Sequence, residues 1–308
     1  MKYASAGAFR RALETRLTAQ ARDTGGSVVR LRKEVAFDRL LVRLIAGAPG
    51  RWILKGALAL DYRFGDRART TKDIDLATAG DEVTATDDLL MAQATDVGDH
   101  FVFAVERTTA LDRLLEGTAV RYHVRAELAG RVFDTFLLDV GFDLPSGVEF
   151  DRLRGPDRLA FAQIAPVEVP ALPIEFHVAE KVHAYSRGYG TGSLTSTRVK
   201  DLVDLALIAT EAALDATLLR AACERTFNRR SSHELPAALP GPPADWSVPY
   251  GRMAGGIGLD VNLATGRAAA ARMLDPVLAG DVRSGTWDPR NQRWTSLPRV
   301  ADEPRSRR

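Results

Sequence analysis

The segment 52–76 constrains the fold more than any other part of this chain. It opens with an apolar run at 52–54, passes through Gly56 into a helical stretch at 57–63, and ends in Asp-Ile-Asp-Leu at 73–76. Short apolar runs beside glycine predict buried strands, and strict alternation of polar and apolar residues predicts a strand with one face in the core. This order of strand, turn, helix and strand is typical of a mixed α/β sheet.

Asp73 and Asp75 carry the chemistry that this segment predicts. Alternate residues of a strand project to the same face, roughly 6.5 to 7 Å apart, so both carboxylates can converge on one cation cluster. Mg²⁺ requires oxygen ligands and usually takes one or two carboxylates from the protein. The same spacing is also common as plain surface charge. Gly56 strengthens the metal interpretation, because a glycine turn before a helix N-terminus suits a phosphate, although Gly56 alone also fits an ordinary turn.

The remaining pattern predicts two lobes of an α+β protein. Apolar spacing predicts helices between residues 5 and 46, interrupted at Gly25 and Gly26, and a helix at 85–95 capped by Thr86. We expect strands at 101–105, 119–128 and 132–140. The first lobe, a mixed sheet with a helical N-terminal segment, spans 1–155.

Prolines between 156 and 173 predict an extended link to a mostly helical second lobe at 174–300. Helices are expected at 175–187, 199–210, 213–227 and 267–274, the last ending before Pro276. The polar segment 188–197 is expected to be mobile, and the tail 301–308 is expected to be disordered.

Composition limits the class of protein. The 308 residues are 45% hydrophobic and 27% charged, as in ordinary globular chains, and the single Cys223 fits a reducing compartment. The sequence shows neither a signal-peptide pattern nor a run of the roughly 20 apolar residues that a membrane helix needs, so we expect a cytoplasmic protein without membrane contact. A net charge of +2 gives no global argument for nucleic-acid binding, and local arginine clusters fit either phosphate contacts or solvated faces.

Other nucleotide and hydrolase motifs do not occur in this sequence. It has no Gly-x-x-x-x-Gly-Lys-Ser/Thr phosphate loop, and the glycines after 187 lack the dinucleotide-binding spacing. His177 and His183 are not spaced as a zinc-binding helix pair, and no serine nucleophile elbow occurs. The Asp73–Asp75 strand therefore remains the leading candidate for chemistry.

Two stretches resemble the AbiEii/AbiGii-type nucleotidyltransferase toxins of the DNA polymerase β-like superfamily. The first covers 52–60 and 67–76, with Ala57 where the family usually has a second glycine or serine, and with Thr71 matching a Ser/Thr of related toxins. The second covers 175–187 and 198–205, and is similar to the family's later helical motifs.

The resemblance implies a polymerase β-like first lobe and a helical second lobe that completes the active site. In the second stretch it implies that Lys181 neutralises a triphosphate and that Asp201 and Asp204 orient the nucleotide or Lys181; a solvated lysine and helix-capping aspartates are the alternatives. The site residues it implies are, for catalysis, Asp73, Asp75, Lys181 and Asp204; for nucleotide binding, Lys55, Gly56, Ala57, Thr71 and Asp201; and for metal, Asp73, Asp75 and Asp139.

Asp139 is the candidate for a third carboxylate, which many members of the superfamily need. It interrupts an otherwise apolar strand, where a charge is costly unless it is paired or bound to a metal. A metal or base role, a structural ion pair and a strand-end position all fit this pattern.

The expected reaction is Mg²⁺-dependent transfer of a nucleoside monophosphate from an NTP to an acceptor hydroxyl, with two ions clamping the reacting oxygens. The resemblance implies a tRNA 3′ end as acceptor, and a type IV toxin whose antitoxin is encoded upstream. Two alternatives remain at this point. One is the same chemistry on a small molecule or protein, and the other is a non-catalytic protein of this fold that binds RNA or a partner.

Overall fold

A computed structural model describes residues 1–108, 119–187 and 198–295 of the chain. The segments 188–197 and 301–308, for which we expect mobility and disorder, lie outside these residues. The chain divides into two compact units, Met1–Pro173 and Ile174–Arg308, and each is described by itself. The α+β class predicted from the sequence is confirmed.

The first unit contains four α-helices and seven strands among its described residues. Its helices are α1 (Ala6–Thr24), α2 (Val28–Gly47), α3 (Gly56–Phe64) and α4 (Glu82–Ala94). Its strands are β1 (Trp52–Lys55), β2 (Asp73–Thr78), β3 (Phe101–Arg107), β4 (Ala119–Leu128), β5 (Arg131–Gly141), β6 (Asp151–Arg154) and β7 (Glu168–Ala171).

The strands of the first unit form a mixed sheet. Among the described residues this sheet has seven strands in the order β3-β4-β5-β2-β1-β7-β6. Strand β2 pairs antiparallel with β1 and parallel with β5, while β1 pairs parallel with β7. The first predicted strand pair, β1 and β2, is thus central in the strand order. One neighbour of β2 is β1, which leads into α3, and the other is β5, beyond which lie β4 and β3.

Alternation along the strands divides the first unit into a core side and an open side. Ile74 and Leu138 are register partners on β2 and β5, and both are fully buried in the core that α1, α2 and α4 contribute to. Asp73, Asp75 and Asp139 alternate with these apolar residues and are partly exposed. The carboxylates therefore lie on the sheet face opposite the main core.

Local capping explains where the first helices begin and end. Ser27 starts α2 by accepting a hydrogen bond from the Arg30 N–H, and Gly25 ends α1 in the left-handed conformation at a φ of 66°. For α4 the predicted cap at Thr86 is wrong. Asp81 caps the helix by accepting from the Thr84 N–H at 2.8 Å, so that α4 begins one turn earlier.

The prolines between residues 156 and 173 do not produce a free link. Strand β7 lies in this interval and pairs with both β1 and β6, so the first unit extends to Pro173 rather than to residue 155. Pro170 is compatible with this strand because a proline lacks only the backbone N–H, and its partner Arg152 lies on β6 at the sheet edge.

A buried ion pair joins α2 to the start of β3. The Arg43 guanidinium donates two hydrogen bonds to the Asp99 carboxylate, at 2.9 and 2.6 Å, and a third to the Phe101 carbonyl at 2.8 Å. Both side chains are 1% exposed. Because every charge here is compensated, the pair tolerates burial, but loss of one partner would leave an uncompensated charge in the core.

The second unit is mostly helical, as the sequence predicts. Its elements are α5 (Ile174–Ser186), α6 (Val199–Glu211), α7 (Ala216–Arg230), α8 (Ser247–Gly255), α9 (Leu263–Leu278) and the hairpin β8 (Thr286–Asp288) with β9 (Arg293–Thr295). None of the helices in residues 1–108, 119–187 and 198–295 is both long and apolar enough to cross a bilayer.

Helix α9 corrects the predicted helix end before Pro276. It continues through this proline to Leu278, although a proline inside a helix removes one backbone hydrogen bond. Buried Met273, Leu274 and Val277 flank the position, and burial of such side chains contributes about 1.5 to 3 kcal/mol each. Packing of these residues therefore outweighs the local cost of the proline.

We expect the variant Asp99→Asn to lower the free energy of unfolding by about 3 kcal/mol or more, because it leaves the Arg43 charge uncompensated in the core. Urea denaturation followed by circular dichroism measures this change. Asp87→Asn is the matched control, since Asp87 is exposed on α4. Equal stability of the two variants would contradict the importance of the pair.

Candidate active site

The three carboxylates predicted from the sequence lie on neighbouring strands of the first unit. Asp75 on β2 is the register partner of Asp139 on β5, and Asp73 lies two residues earlier on the same face of β2. The alternation that buries Ile74 keeps both β2 carboxylates on the open side. The structure thus brings Asp73, Asp75 and Asp139 onto one region of the sheet.

Gly56 lies directly against Asp75. It starts α3 at a φ of 66°, which L side chains rarely adopt, and a Cβ at this position would lie 1.8 Å from Asp75 Oδ2. Only a residue without a side chain permits this approach of the α3 N-terminus to the carboxylate. The glycine therefore sets the distance between the carboxylate pair and a helix end whose first N–H groups have no partner within the helix.

Thr71 orients the first carboxylate. Its hydroxyl donates to Asp73 Oδ1 at 2.5 Å, and the Asp73 N–H donates to Thr71 Oγ1 at 3.5 Å. Thr71 is 9% exposed, so the surrounding structure restricts its rotamer. This contact holds the Asp73 side chain in place and leaves its second carboxylate oxygen to other partners.

Asp139 forms a two-point ion pair with Arg121 on the adjacent strand β4. The guanidinium Nε and Nη2 donate to the two carboxylate oxygens at 2.7 and 2.8 Å. Antiparallel pairing places the two residues directly opposite each other. Sequence reasoning missed Arg121, because nothing in its local pattern marks it; the strand register that places it opposite Asp139 is the signal that would have found it.

Lys55 and Ala57 flank the glycine turn. Lys55 is the register partner of Asp75, and its ammonium Nζ lies 3.8 Å from Asp143 Oδ1, just beyond the end of β5. Ala57 is buried at the second position of α3. The turn therefore carries one cation beside the carboxylates and no side-chain hydroxyl at position 57.

The donor set is compatible with a hard divalent cation. Asp73 and Asp75 offer carboxylate oxygens on one face, and the Asp75 carboxylate occupies the space that a Cβ at position 56 would take. Mg²⁺ usually takes one or two carboxylates and completes its shell with water and substrate oxygens. Within residues 1–108, 119–187 and 198–295, no group of three or more His, Cys, Asp or Glu side chains is placed to hold a metal ion, Asp73, Asp75 and Asp139 included.

The second unit holds the remaining predicted site residues in one buried cluster. Lys181 on α5 donates to Asp204 Oδ2 on α6 at 2.6 Å, and its Nζ lies 3.7 Å from Asp201 Oδ1. Arg198 lies 3.4 Å from the other Asp201 oxygen. Asp204 is fully buried and Lys181 is 7% exposed. The two aspartates, three residues apart on one helix face, therefore position the lysine.

Four large aromatic side chains of the second unit pack within that unit. Trp287 is fully buried and donates its indole N–H to the Ala209 carbonyl at 2.8 Å, while Trp294 donates to the Met273 carbonyl at 3.0 Å. Trp246 and Tyr250 are also buried. These contacts indicate a structural use within the second unit.

A cavity of about 660 Å³ opens on the first unit beside Asp73. Its wall includes Thr71 and also Leu137, the register partner of Asp73. Arg30 on another wall pairs with Asp61 at 2.5 Å. Burial raises the pKa of the Asp61 carboxyl to about 7, with Glu34 adding to the rise and Arg30 opposing it. The cavity therefore borders the segment that leads into Asp73, and its wall includes charged side chains.

Comparison with solved structures finds two similar chains, and the first of them shows a shared fold. MenT4, a nucleotidyltransferase toxin from Mycobacterium tuberculosis H37Rv, is 20% identical and aligns over 88% of this chain and 98% of its own, with a TM-score of 0.53. JHP933 from Helicobacter pylori is 16% identical over 83% of this chain and 95% of its own, with a TM-score of 0.49.

A search among curated proteins finds no match to this sequence. A protein-family model described as "Nucleotidyl transferase AbiEii toxin, Type IV TA system" matches residues 39–283, a range that contains the Asp73–Asp75 strand and the Lys181 helix. With most of its length matched to that model, the chain belongs to the AbiEii family of nucleotidyltransferase toxins.

Proposed function

We propose that this protein transfers a nucleoside monophosphate from an NTP to the 3′ hydroxyl of an RNA, and that this RNA is a tRNA. The acceptor oxygen forms a bond to the α-phosphorus, and the bond from that phosphorus to the bridging oxygen of the β-phosphate breaks, so that pyrophosphate leaves. The observation that supports this proposal best is the Asp73–Asp75 pair held against Gly56 at the start of α3.

Each candidate site residue of the first unit has a defined role in this proposal. Asp73 and Asp75 hold the Mg²⁺, with Thr71 fixing the Asp73 rotamer. Bound Mg²⁺ supplies charge stabilisation to the attacking and leaving oxygens. Gly56 and Ala57 present backbone N–H groups of the α3 N-terminus to the triphosphate, and Lys55 adds a positive charge.

Asp139 is proposed as the third carboxylate of this site. Arg121 holds its two oxygens in a fixed orientation beside Asp75. In this position Asp139 either completes the metal site or accepts the proton of the acceptor hydroxyl. Both roles require a carboxylate whose rotamer does not change, and the two-point contact with Arg121 provides this.

We propose that a cluster of the second unit binds the nucleotide; it consists of Lys181, Asp201 and Asp204. Lys181 provides the point charge for a phosphate, and the two aspartates hold its ammonium in one place.

Toxicity is the expected consequence of the transfer reaction, and we propose a cognate antitoxin, encoded upstream, as the partner that relieves it. We also propose that the protein acts in the cytoplasm.

The acceptor is tested by incubating the protein with each of the four α-³²P-labelled NTPs and either total RNA or a protein lysate. The proposal expects label in the tRNA fraction. Label in protein or in a small-molecule fraction would replace the RNA acceptor with the alternative acceptor class. Absence of transfer to every acceptor would favour the non-catalytic binding protein.

We expect Asp73→Asn and Asp75→Asn each to lower the transfer rate by more than about a hundredfold, because loss of a metal ligand costs more than the 10- to 100-fold typical of its outer-shell partners. Initial rates of label incorporation measure this. Asp66→Asn removes the same charge from an exposed position between α3 and β2 and should retain wild-type activity. Activity in either site variant would contradict the assignment.

We expect Gly56→Ala to abolish transfer, since its methyl group would displace the Asp75 carboxylate. Gly50→Ala is the matched control: Gly50 also has a positive φ, of 75°, but nothing lies within 4 Å of a Cβ built there. Both changes cost about 1 kcal/mol through backbone strain, which thermal unfolding measures. If both variants were equally active, the close approach at Gly56 would have no catalytic importance.

We expect Lys181→Met to lower the free energy of unfolding by about 3 to 5 kcal/mol, because the buried Asp204 carboxylate loses the Lys181 ammonium. The double variant Lys181→Met/Asp204→Leu should recover most of this stability, since an apolar pair often replaces a buried ion pair at little cost. Its transfer activity should stay lost. Activity that returned together with stability would show that the pair is structural.

A further inference from the structure

The cavity beside Asp73 has the composition of a nucleotide-binding surface. Its volume of about 660 Å³ lies within the roughly 300 to 1,000 Å³ usual for ligand sites. Apolar atoms of Val29, Ala104 and Leu137 contribute to its lining. Its charged lining residues are predominantly cationic: Arg30, Lys33, Lys72 and Arg125 against Glu106.

Strand alternation places two lining residues of β4 on the sheet face that carries Asp139, whereas Val124 and Phe136, which also line the cavity, belong to the core face. His123 on β4 is the register partner of Leu137, and Arg125 is the partner of Thr135. These residues share the sheet face of Asp139 and Arg121, because they lie two and four positions from them along the strands. His123 and Arg125 are exposed, so both can meet a ligand.

The cationic side chains that line this cavity differ in how strongly they are held by ion pairs with carboxylates. Lys33 lies 2.6 Å from Asp134 with both side chains largely buried. Arg125 lies 3.0 Å from Glu127, but its side chain is 52% exposed. Exposed ion pairs of this kind contribute little, so Arg125 can exchange Glu127 for a phosphate at small cost. Lys72 is exposed and adjacent in sequence to Asp73.

The order of the strands indicates which substrate the cavity receives. The glycine turn and α3 follow β1, which is one neighbour of β2, whereas the strand residues that line the cavity belong to β5, the other neighbour, and to β4 and β3. The remaining lining residues come from the segments 27–33 and 70–72. An in-line displacement requires the attacking and leaving oxygens on opposite sides of the phosphorus. If the triphosphate occupies the α3 side, the attacking hydroxyl comes from the cavity side.

We propose that this cavity binds the terminal nucleotide of a single-stranded RNA acceptor, with the base against the apolar lining and His123, and the backbone phosphate at Arg125 and Lys72. This inference rests on the proposed nucleotidyl transfer and identifies the place of its acceptor. Unpaired bases stack on aromatic and histidine rings, and their phosphates bind Lys and Arg, which is the combination found here.

Binding of a fluorescein-labelled six-nucleotide single-stranded RNA, followed by fluorescence anisotropy, tests the assignment without requiring catalysis. Arg125→Glu should weaken binding about tenfold, because it places a like charge against phosphate. It should also reduce the slope of log affinity against log salt by about 0.7 for one lost phosphate contact. His123→Ala should weaken binding at least about fivefold through lost stacking.

Arg131→Glu is the matched control, since Arg131 is an exposed arginine on the neighbouring strand β5 that does not line the cavity. It should change the affinity less than twofold. A loss as large as that of Arg125→Glu would show that general surface charge attracts the RNA, and would overturn the assignment. Unchanged RNA affinity in both cavity variants would overturn it as well.

Steady-state transfer separates this inference from the proposed function. Arg125→Glu should raise the KM for the RNA acceptor and leave the KM for the NTP unchanged. A raised KM for the NTP alone would assign the cavity to the incoming nucleotide and overturn the inference, with the transferase function intact. Cavity-dependent RNA binding without transfer in the wild-type protein would instead refute the proposed reaction and retain the RNA site.

Discussion

The close approach of Gly56 to Asp75 is the constraint around which the first unit is organised. A Cβ at position 56 would lie 1.8 Å from Asp75 Oδ2, so only a glycine lets the N-terminus of α3 lie next to this carboxylate of β2. Antiparallel pairing of β1 with β2 brings the glycine to that position, and parallel pairing of β2 with β5 brings Asp139 to the other side. The N-terminus of α3 and a group of carboxylates thus meet at the centre of the sheet.

Alternation along the strands lets one short segment serve both folding and chemistry. Ile74 and Leu138 stabilise the core beneath the sheet, while Asp75 and Asp139 face the open side. A rigid apolar face restricts the movement of the strand that carries the carboxylates. The same alternation places Arg121, His123 and Arg125 in a row on β4, so that one strand supplies both the partner of Asp139 and the wall of the neighbouring cavity.

Local sequence signals succeeded where the chain has strong periodicity and failed where tertiary packing outweighs them. The α1–α2 break at Gly25 and the β1–α3–β2 order follow from turn residues and apolar spacing. Pro276 is a local stop signal, yet α9 continues through it because the buried residues around it gain more from packing than one hydrogen bond costs. The prolines before residue 173 likewise suggested a link, whereas pairing with β1 makes part of that interval a strand.

The sequence by itself determined the fold class, the same-face placement of Asp73 and Asp75, and the family, because each depends on residues close together along the chain. Tertiary structure decided which distant groups meet these carboxylates. Arg121 contacts Asp139 only through the β4–β5 register, and the exclusion of a side chain at Gly56 depends on where Asp75 lies across the β1–β2 pair. A cavity likewise exists only once α2, the segment before β2 and three strands are assembled. Register and packing are properties of the whole sheet, so no local pattern encodes them.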